Sequence, residues 1–422
     1  MNFHVAITLN TYNILNKFTL NNPLHKSKYR YTIYIVTVHY RSIQQIKFES
    51  NNKTNTTTMN YVTRSRQRQQ QINVLIGRKG KGLDMYLCVL SSIPDDPNDM
   101  PYDPSPHMNG FKWKHHPMHP KGVEKQIREL MNEGVDVFVN LVDGTPDDPL
   151  SGIGLVTIME KLGAAFTGAD SKFFDPSRQE MKAYAKKSNV PTPSWAMVDR
   201  VEDVERVAKR LRFPVLVKPP HGYASVGITR ESRCENVDQL KVQVGREIEQ
   251  FGRALLEEFI EGREFTCLVA ENPDDPENPI SFKPVEFMFP DGETFKHYDM
   301  KWVDFQKMSV APVSDRRIEK TLREQTVRLF KAMNGNGYAR CDYRMAADGT
   351  LYMLEINPNC GIFYSPEEPG SADFSLMNDK YYNHHKFMKL IIRSAQNRRD
   401  NMIAAKLLKK VKKQRVREMA YT

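Results

Sequence analysis

The spacing of apolar positions changes repeatedly along the chain and marks its elements. The first clear run is INVLIG (72–77), closed by a glycine, and order is expected to begin there. A Pro-, Asp- and His-rich stretch from Ser91 to Pro120 breaks the pattern and reads as a long loop. Beyond it, EKQIRELMNEG has helical spacing and VDVFVNLV is a continuous apolar run of strand length. GLVTIMEKLG is helical again, and AAFTG is a short strand. Strand–helix alternation of this kind predicts a parallel α/β domain over 71–168.

The pattern then changes character. RQEMKAYAKKSN and VEDVERVAKRLR read as helices, followed by strand FPVLVKP, a loop at HGYA and strand SVGITR. An amphipathic helix over 237–251 leads into ALLEEFI, REFTCLVAE, FKPVEFMF and TFKHYDMKW, which read as four strands of a largely antiparallel sheet. After helix RRIEKTLREQTVRLFKAMN come two alternating runs, GYARCDYRM and TLYMLEINPN, parted by Ala-Asp-Gly. The expected divisions are a central domain over 169–253, a C-terminal one over 254–394 and a basic helical tail over 395–422. Residues 1–70 have the composition of a disordered leader or a targeting segment, or of sequence ahead of a later start at Met59.

Charge changes the picture only once it is divided. The net +10 resolves into +9 over residues 1–72, +8 over 391–422 and −7 over the body between them. A nucleic-acid or membrane-surface partner would therefore rest on the tails alone, and nucleic acid is not the expected ligand. The longest apolar stretches, such as YTIYIVTV (31–38), are far shorter than the ~20 residues of a membrane span. Five cysteines without paired spacing point to a reducing compartment, the cytoplasm, with an organelle address in residues 1–58 left open. The histidines of HHPMH (115–119) have no carboxylate or Cys pattern around them and read as a solvated loop.

Candidate chemistry concentrates in the last two alternating runs. Asp348-Gly349 is a signal for a two-residue hairpin turn. With that turn, Asp342 faces Glu355 and Arg340 faces Asn357, all on one face of the hairpin. Opposed like charges ~5 Å apart are destabilising and call for protonation or a cation between them. Two carboxylates and an amide oxygen are hard ligands of the kind Mg²⁺ takes, and Arg340 beside them suits an anion. Upstream, Lys218 closes an apolar strand and the loop HGYASVG follows it, where backbone N–H groups could cradle phosphate.

The order of these pieces is more specific than any one of them. A Lys in a helix, Lys-Pro-loop-SxG, EEFIEGREFT, Lys before Trp and R-x-D…E-x-N-P-x-x-G together resemble the ATP-grasp superfamily, within it the D-alanine–D-alanine ligase group, over roughly residues 135–394. The resemblance implies an N-terminal parallel α/β domain followed by a two-subdomain ATP-grasp fold. It implies ATP with Mg²⁺ or Mn²⁺, and a carboxylate–amine ligase that works through an acyl phosphate on an amino acid, a small peptide or another small carboxylate. By motif position, Arg178, Lys182, Lys218 and Lys301 would reach the phosphates and Ser225 would sit in the closing loop. Glu257, Glu258, Phe259 and Ile260 would form the hinge that reads adenine, and Glu264 would hold the ribose. Asp342, Glu355 and Asn357 would be metal ligands, while Arg340 and the Gly361 N–H would hold the oxyanion. A homodimer is kept open.

Departures from the family pattern lie mostly in the substrate region. Arg178 stands where the family has the first of two lysines, Ala224 precedes Ser225, and Cys360 replaces a proline before Gly361. INVLIGRKGKGLD lacks the family's G-G-x-S-x-E motif, and Arg78, Lys79 and Lys81 there could favour an acidic substrate. FYSPEEPGSADFSL is enlarged. These departures motivate an alternative, an ATP-binding regulatory protein with this fold and no ligase turnover.

Overall fold

Three short strands assemble the first sheet in a computed structural model that describes residues 16–19, 32–35, 85–93, 102–145, 148–222 and 225–419. Tyr86–Ser92 runs down the middle, with Lys112–Met118 on one side and Val137–Asn140 on the other, all parallel. Helices Val123–Asn132 and Gly152–Leu162 supply the crossover layer expected of parallel strands. Two corrections follow. The stretch read as one long loop contains the strand Lys112–Met118, and His115 and His116 lie within it. AAFTG contributes only a bridge from Phe166 to Phe138. INVLIG, Arg78, Lys79 and Lys81 lie outside the described residues.

A second sheet has the order Trp195–Val198, Ala254–Glu258, Val215–Lys218, Arg233–Cys234, all antiparallel. SVGITR is not a strand: Ser225 has φ 59°, and the Ile228 N–H donates back to the Ser225 carbonyl. The third sheet runs Ser309–Pro312, Val285–Met288, Arg263–Ala270, Tyr338–Met345, Leu351–Pro358, with Ile280–Ser281 pairing on Arg263–Ala270. The four expected strands therefore divide. ALLEE belongs to the second sheet, and TFKHYDMKW ends in the helix Tyr298–Trp302. Strand Ser309–Pro312 takes the edge instead.

The chain passes from the second sheet to the third through Phe259–Gly262. Gly262 has φ 135°, and a Cβ there would lie 2.0 Å from the Met345 carbonyl oxygen, so only glycine fits this close crossing. The final hairpin turns through three residues, with the Ala346 N–H bonded to the Thr350 carbonyl and Gly349 at φ 83°. A one-residue bulge at Leu354 then shifts the register between Asp342 and Tyr343. Past the bulge Asp342 pairs with Glu355 and Arg340 with Asn357.

Residues 81–405, which hold all three sheets, form one compact unit; the other comprises 1–80 and 406–422. In the latter, Asn16–Thr19 pairs antiparallel with Thr32–Ile35. The last helix runs His384–Met419. Among the described residues no helix is long and apolar enough to cross a membrane.

One core position is chemically costly. Helix Val237–Phe251 is capped by the Asn236 side chain and buries Leu240, Val244 and Glu247 on one face. The Glu247 Oε2 atom has no hydrogen-bond partner among the described residues, and burial pushes the carboxyl up to about 7. A carboxyl raised in the folded state favours folding below its ordinary pKa, and that contribution is lost as pH rises through 7. Glu247→Gln is therefore expected to stabilise the protein at pH 8 by on the order of 1–3 kcal/mol and to change little at pH 5. Thermal unfolding at the two pH values checks this, and equal effects at both would contradict it.

Candidate active site

The opposed carboxylates of the hairpin are the starting point. Asn357 lies between them and donates from Nδ2 to Asp342 Oδ2 and to Glu355 Oε1, each at 3.2 Å. Arg340 grips Asp342 with two nitrogens, Nε at 3.0 Å from Oδ1 and Nη2 at 2.8 Å from Oδ2. The Thr266 hydroxyl donates to the same Oδ1 at 2.5 Å from the neighbouring strand. On the other side Glu355 Oε2 receives Arg178 Nη1 at 2.7 Å. Burial works against ionisation of Glu355, but Arg178 and Lys218 hold its carboxyl well below the usual carboxylate range. Glu355 is thus kept ionised, and both acids have an arginine bonded to them.

Arg178 does more than pair with Glu355. Its Nε donates to the Pro219 carbonyl at 3.0 Å and its Nη2 to Gly222 at 2.8 Å. A capping box between Ser177 and Glu180 starts the helix Arg178–Lys187, which places Arg178 and Lys182 one turn apart, both buried. Arg178 therefore ties the loop after Lys218 to the hairpin carboxylate. A lysine has no planar fork with which to make these contacts together.

Lys182 and Lys218 converge on Glu257. Lys218 Nζ lies 2.6 Å from Oε1, and Lys182 bonds Oε2 and also the Thr192 hydroxyl. Glu257 is 2 % exposed, and its two lysines keep it ionised against the cost of burial. Burial pulls the Lys182 ammonium down, with Glu257 opposing. The Glu257 side chain is consequently committed to lysines, and Glu258 is committed to Arg212. The backbone N–H groups of Glu258 and Phe259 are bonded to Ser194 and Pro214.

At the far side of the hinge, Glu264 Oε1 meets Lys296 Nζ at 3.2 Å and its Oε2 lies 3.7 Å from Arg344 Nη1. Phe259 is stacked between Arg233 and Arg344, 4.5 and 4.6 Å from its ring centre. The Ser225 loop is docked on the same region: its hydroxyl donates to the Lys296 carbonyl at 3.0 Å, and Tyr298 N–H donates to Ile228. Lys301 follows on the helix Tyr298–Trp302, where burial and the nearby Arg340 guanidinium pull its ammonium down to about 8. Sequence reasoning missed Arg344, Lys296 and Thr266. Strand alternation with Asp342 and Glu264 would have indicated Arg344 and Thr266.

Gly361 lies beyond the hairpin against Tyr364, whose hydroxyl would be 2.5 Å from a Cβ at that position. With Cys360, Tyr102 and Asp143 it borders a gap too narrow for a water molecule. Tyr102 donates to Asp143 at 2.6 Å, and burial pushes the Cys360 thiol up to about 12. Cys360 is thus a buried filler and not a nucleophile. Among the described residues no group of three or more His, Cys, Asp or Glu side chains could hold a metal ion. The candidate centre is therefore two acids with the Asn357 amide.

Comparison with known proteins agrees with the resemblance read from the sequence. Residues 185–367 match the family described as D-ala D-ala ligase C-terminus. D-alanine--D-alanine ligase B of Chromobacterium violaceum is 26% identical over 251 residues, 57% of this chain and 75% of that protein. The D-alanine-D-alanine ligase structure from Coxiella burnetii superposes with a TM-score of 0.59 at 15% identity, covering 79% of this chain and 100% of that one. The Bacillus anthracis ligase complexed with ATP gives 0.56 at 18% identity, covering 76% and 99%. The fold is that of these ATP-grasp ligases.

The buried lysine pair yields a stability prediction. Glu257→Gln leaves two buried ammonium groups without their countercharge and is expected to cost about 3–5 kcal/mol. Adding Lys182→Met should recover part of that loss, as read from urea unfolding midpoints.

Proposed function

Taking as premise that residues 185–367 are a D-alanine–D-alanine ligase C-terminal domain on an ATP-grasp fold, we propose that the protein is an ATP-dependent ligase joining a carboxylate to an amine. The observation that carries this reading is the hairpin face, where Asp342, Glu355, Asn357 and Arg340 meet with Arg178 and Lys301 close by. Its two carboxylates fit a hard divalent cation such as Mg²⁺ or Mn²⁺, with Asn357 adding an oxygen once its amide is turned over. Such an ion neutralises phosphate charge when bound.

The chain's own residues then account for the steps. A substrate carboxylate oxygen attacks the γ-phosphorus of ATP, the bond to the ADP oxygen breaks, and an acyl phosphate forms. The amine nitrogen next attacks the acyl carbon, and phosphate departs with its bonding electrons as the amide forms and the amine proton is lost. Lys182, Lys218 and Lys301 bring positive charge to the phosphates, with Glu257 fixing the first two in place. Arg178 holds the loop over Pro219–Gly222 to the hairpin, and Ser225 closes from the other side. Glu264 and Phe259 receive the nucleoside end. Arg340, oriented by Asp342, and the Gly361 N–H hold the oxyanion of the tetrahedral intermediate. This is catalysis by positioning and by charge already in place.

A regulator without turnover is not favoured, because each charged residue expected near the metal is present. Arg178 even adds contacts of its own. Asn357→Ala tests the reading without leaving a charge unpaired. ADP formation that depends on added amine should fall by about 10²-fold or more, with the unfolding midpoint little changed. Asp342→Asn and Glu355→Gln should abolish it. Activity near wild type in all three variants would remove the metal and phosphate assignment.

A further inference from the structure

A larger cavity adjoins the reaction centre and is used by none of the nucleotide or metal residues. It measures about 340 Å³, and its walls include Val89, Ser91, Tyr102, Trp113, His115 and Leu141. Tyr102 and Leu141 also border the narrow gap beside Gly361, so they separate the cavity from that glycine. Ser91 and Leu141 stand at the carboxyl ends of parallel strands, and His115 sits on the third, where open α/β sheets take their ligands.

The lining specifies what can enter. Trp113, Val89 and Leu141 are apolar. The Tyr102 hydroxyl is spent on Asp143 at 2.6 Å, so this residue offers its ring. The polar element is a pair, Ser91 Oγ and His115 Nε2, 2.8 Å apart, with Ser91 only 3 % exposed. Burial and the neighbouring His116 pull the His115 imidazole down, which keeps it neutral at pH 7. Asp103 at the rim opposes an anionic group. Size discriminates as well. A methyl group is about as large as a water, whose share of liquid volume is about 30 Å³, so a methyl would leave most of this space unfilled.

We propose that this cavity receives the side chain of the substrate whose carboxylate reacts beside Gly361, and that this side chain is a neutral planar ring of phenyl to indole size. The identity of the reacting carboxylate rests on the ligase reading; binding of the ring does not need turnover. Ring faces suit Trp113 and Tyr102, and a ring hydroxyl or N–H can bond the Ser91–His115 pair.

The test uses the full chain and both enantiomers of alanine, glutamate, phenylalanine and tyrosine. ATP-coupled ADP release is measured together with calorimetric binding of the amino acids alone. A ring amino acid should exceed alanine in kcat/KM by at least 10-fold, and Trp113→Ala should erase most of that margin while the affinity for ATP stays as it was. His115→Leu, should the first variant fail to fold, is expected to reduce the preference for tyrosine over phenylalanine. Preference for alanine or glutamate, or an equal loss for ring and methyl substrates in Trp113→Ala, overturns the inference and leaves the ligase reading standing. Ring amino acids that bind in a Trp113-dependent way with no ADP release support the cavity assignment and overturn the ligase reading. Failure of every ring amino acid to bind overturns the cavity assignment.

Discussion

Two carboxylates held face to face across a hairpin set the main constraint on this structure. Asp342 and Glu355 would repel one another, and the chain surrounds them with Arg340, Arg178 and the Asn357 amide. Everything nearby is arranged around that demand for positive charge. Arg178 reaches it from a helix capped by Ser177, and in doing so it fastens the loop after Lys218 to the hairpin. The Lys182–Glu257–Lys218 cluster repeats the arrangement with signs reversed, one acid between two cations.

The same requirement explains the way the sheets are joined. The acidic pair sits in the third sheet, and Lys218 comes from the second. The crossing at Phe259–Gly262 must therefore be short and close. Gly262 meets that need by lying against the Met345 carbonyl, where no side chain has room. Phe259, at the start of the same crossing, is stacked between guanidinium groups from both sheets. The same few residues thus anchor the crossing to both sheets.

Much of this was legible in the sequence, for identifiable reasons. The facing of Asp342 with Glu355 was read from an assumed two-residue turn. The turn has three residues, and the bulge at Leu354 restores the register that the extra residue would have shifted. Neither departure could be seen alone, since a one-residue slip changes the face of every side chain. The strand Lys112–Met118 was hidden because it is a half-exposed edge strand interrupted by Pro117, with no apolar alternation to betray it. The roles given to Glu257 and Glu258 came from motif position, which cannot show that their carboxylates are already claimed by Lys182, Lys218 and Arg212. Arg344 was missed for the opposite reason: an arginine in an alternating strand reads as solvated until its burial is known.

The burial of Cys360 has a consequence for how the protein tolerates its surroundings. It is one of five cysteines, all buried and none bridged. Burial pushes Cys88, Cys234 and Cys360 up to about 12 and Cys267 up to about 11, while Cys341 is raised well above the ordinary thiol value. Peroxides and alkylating reagents attack the thiolate, a form these side chains hardly populate at neutral pH. The Cys360 sulfur thus stands next to Gly361 as a poor target for oxidation and alkylation.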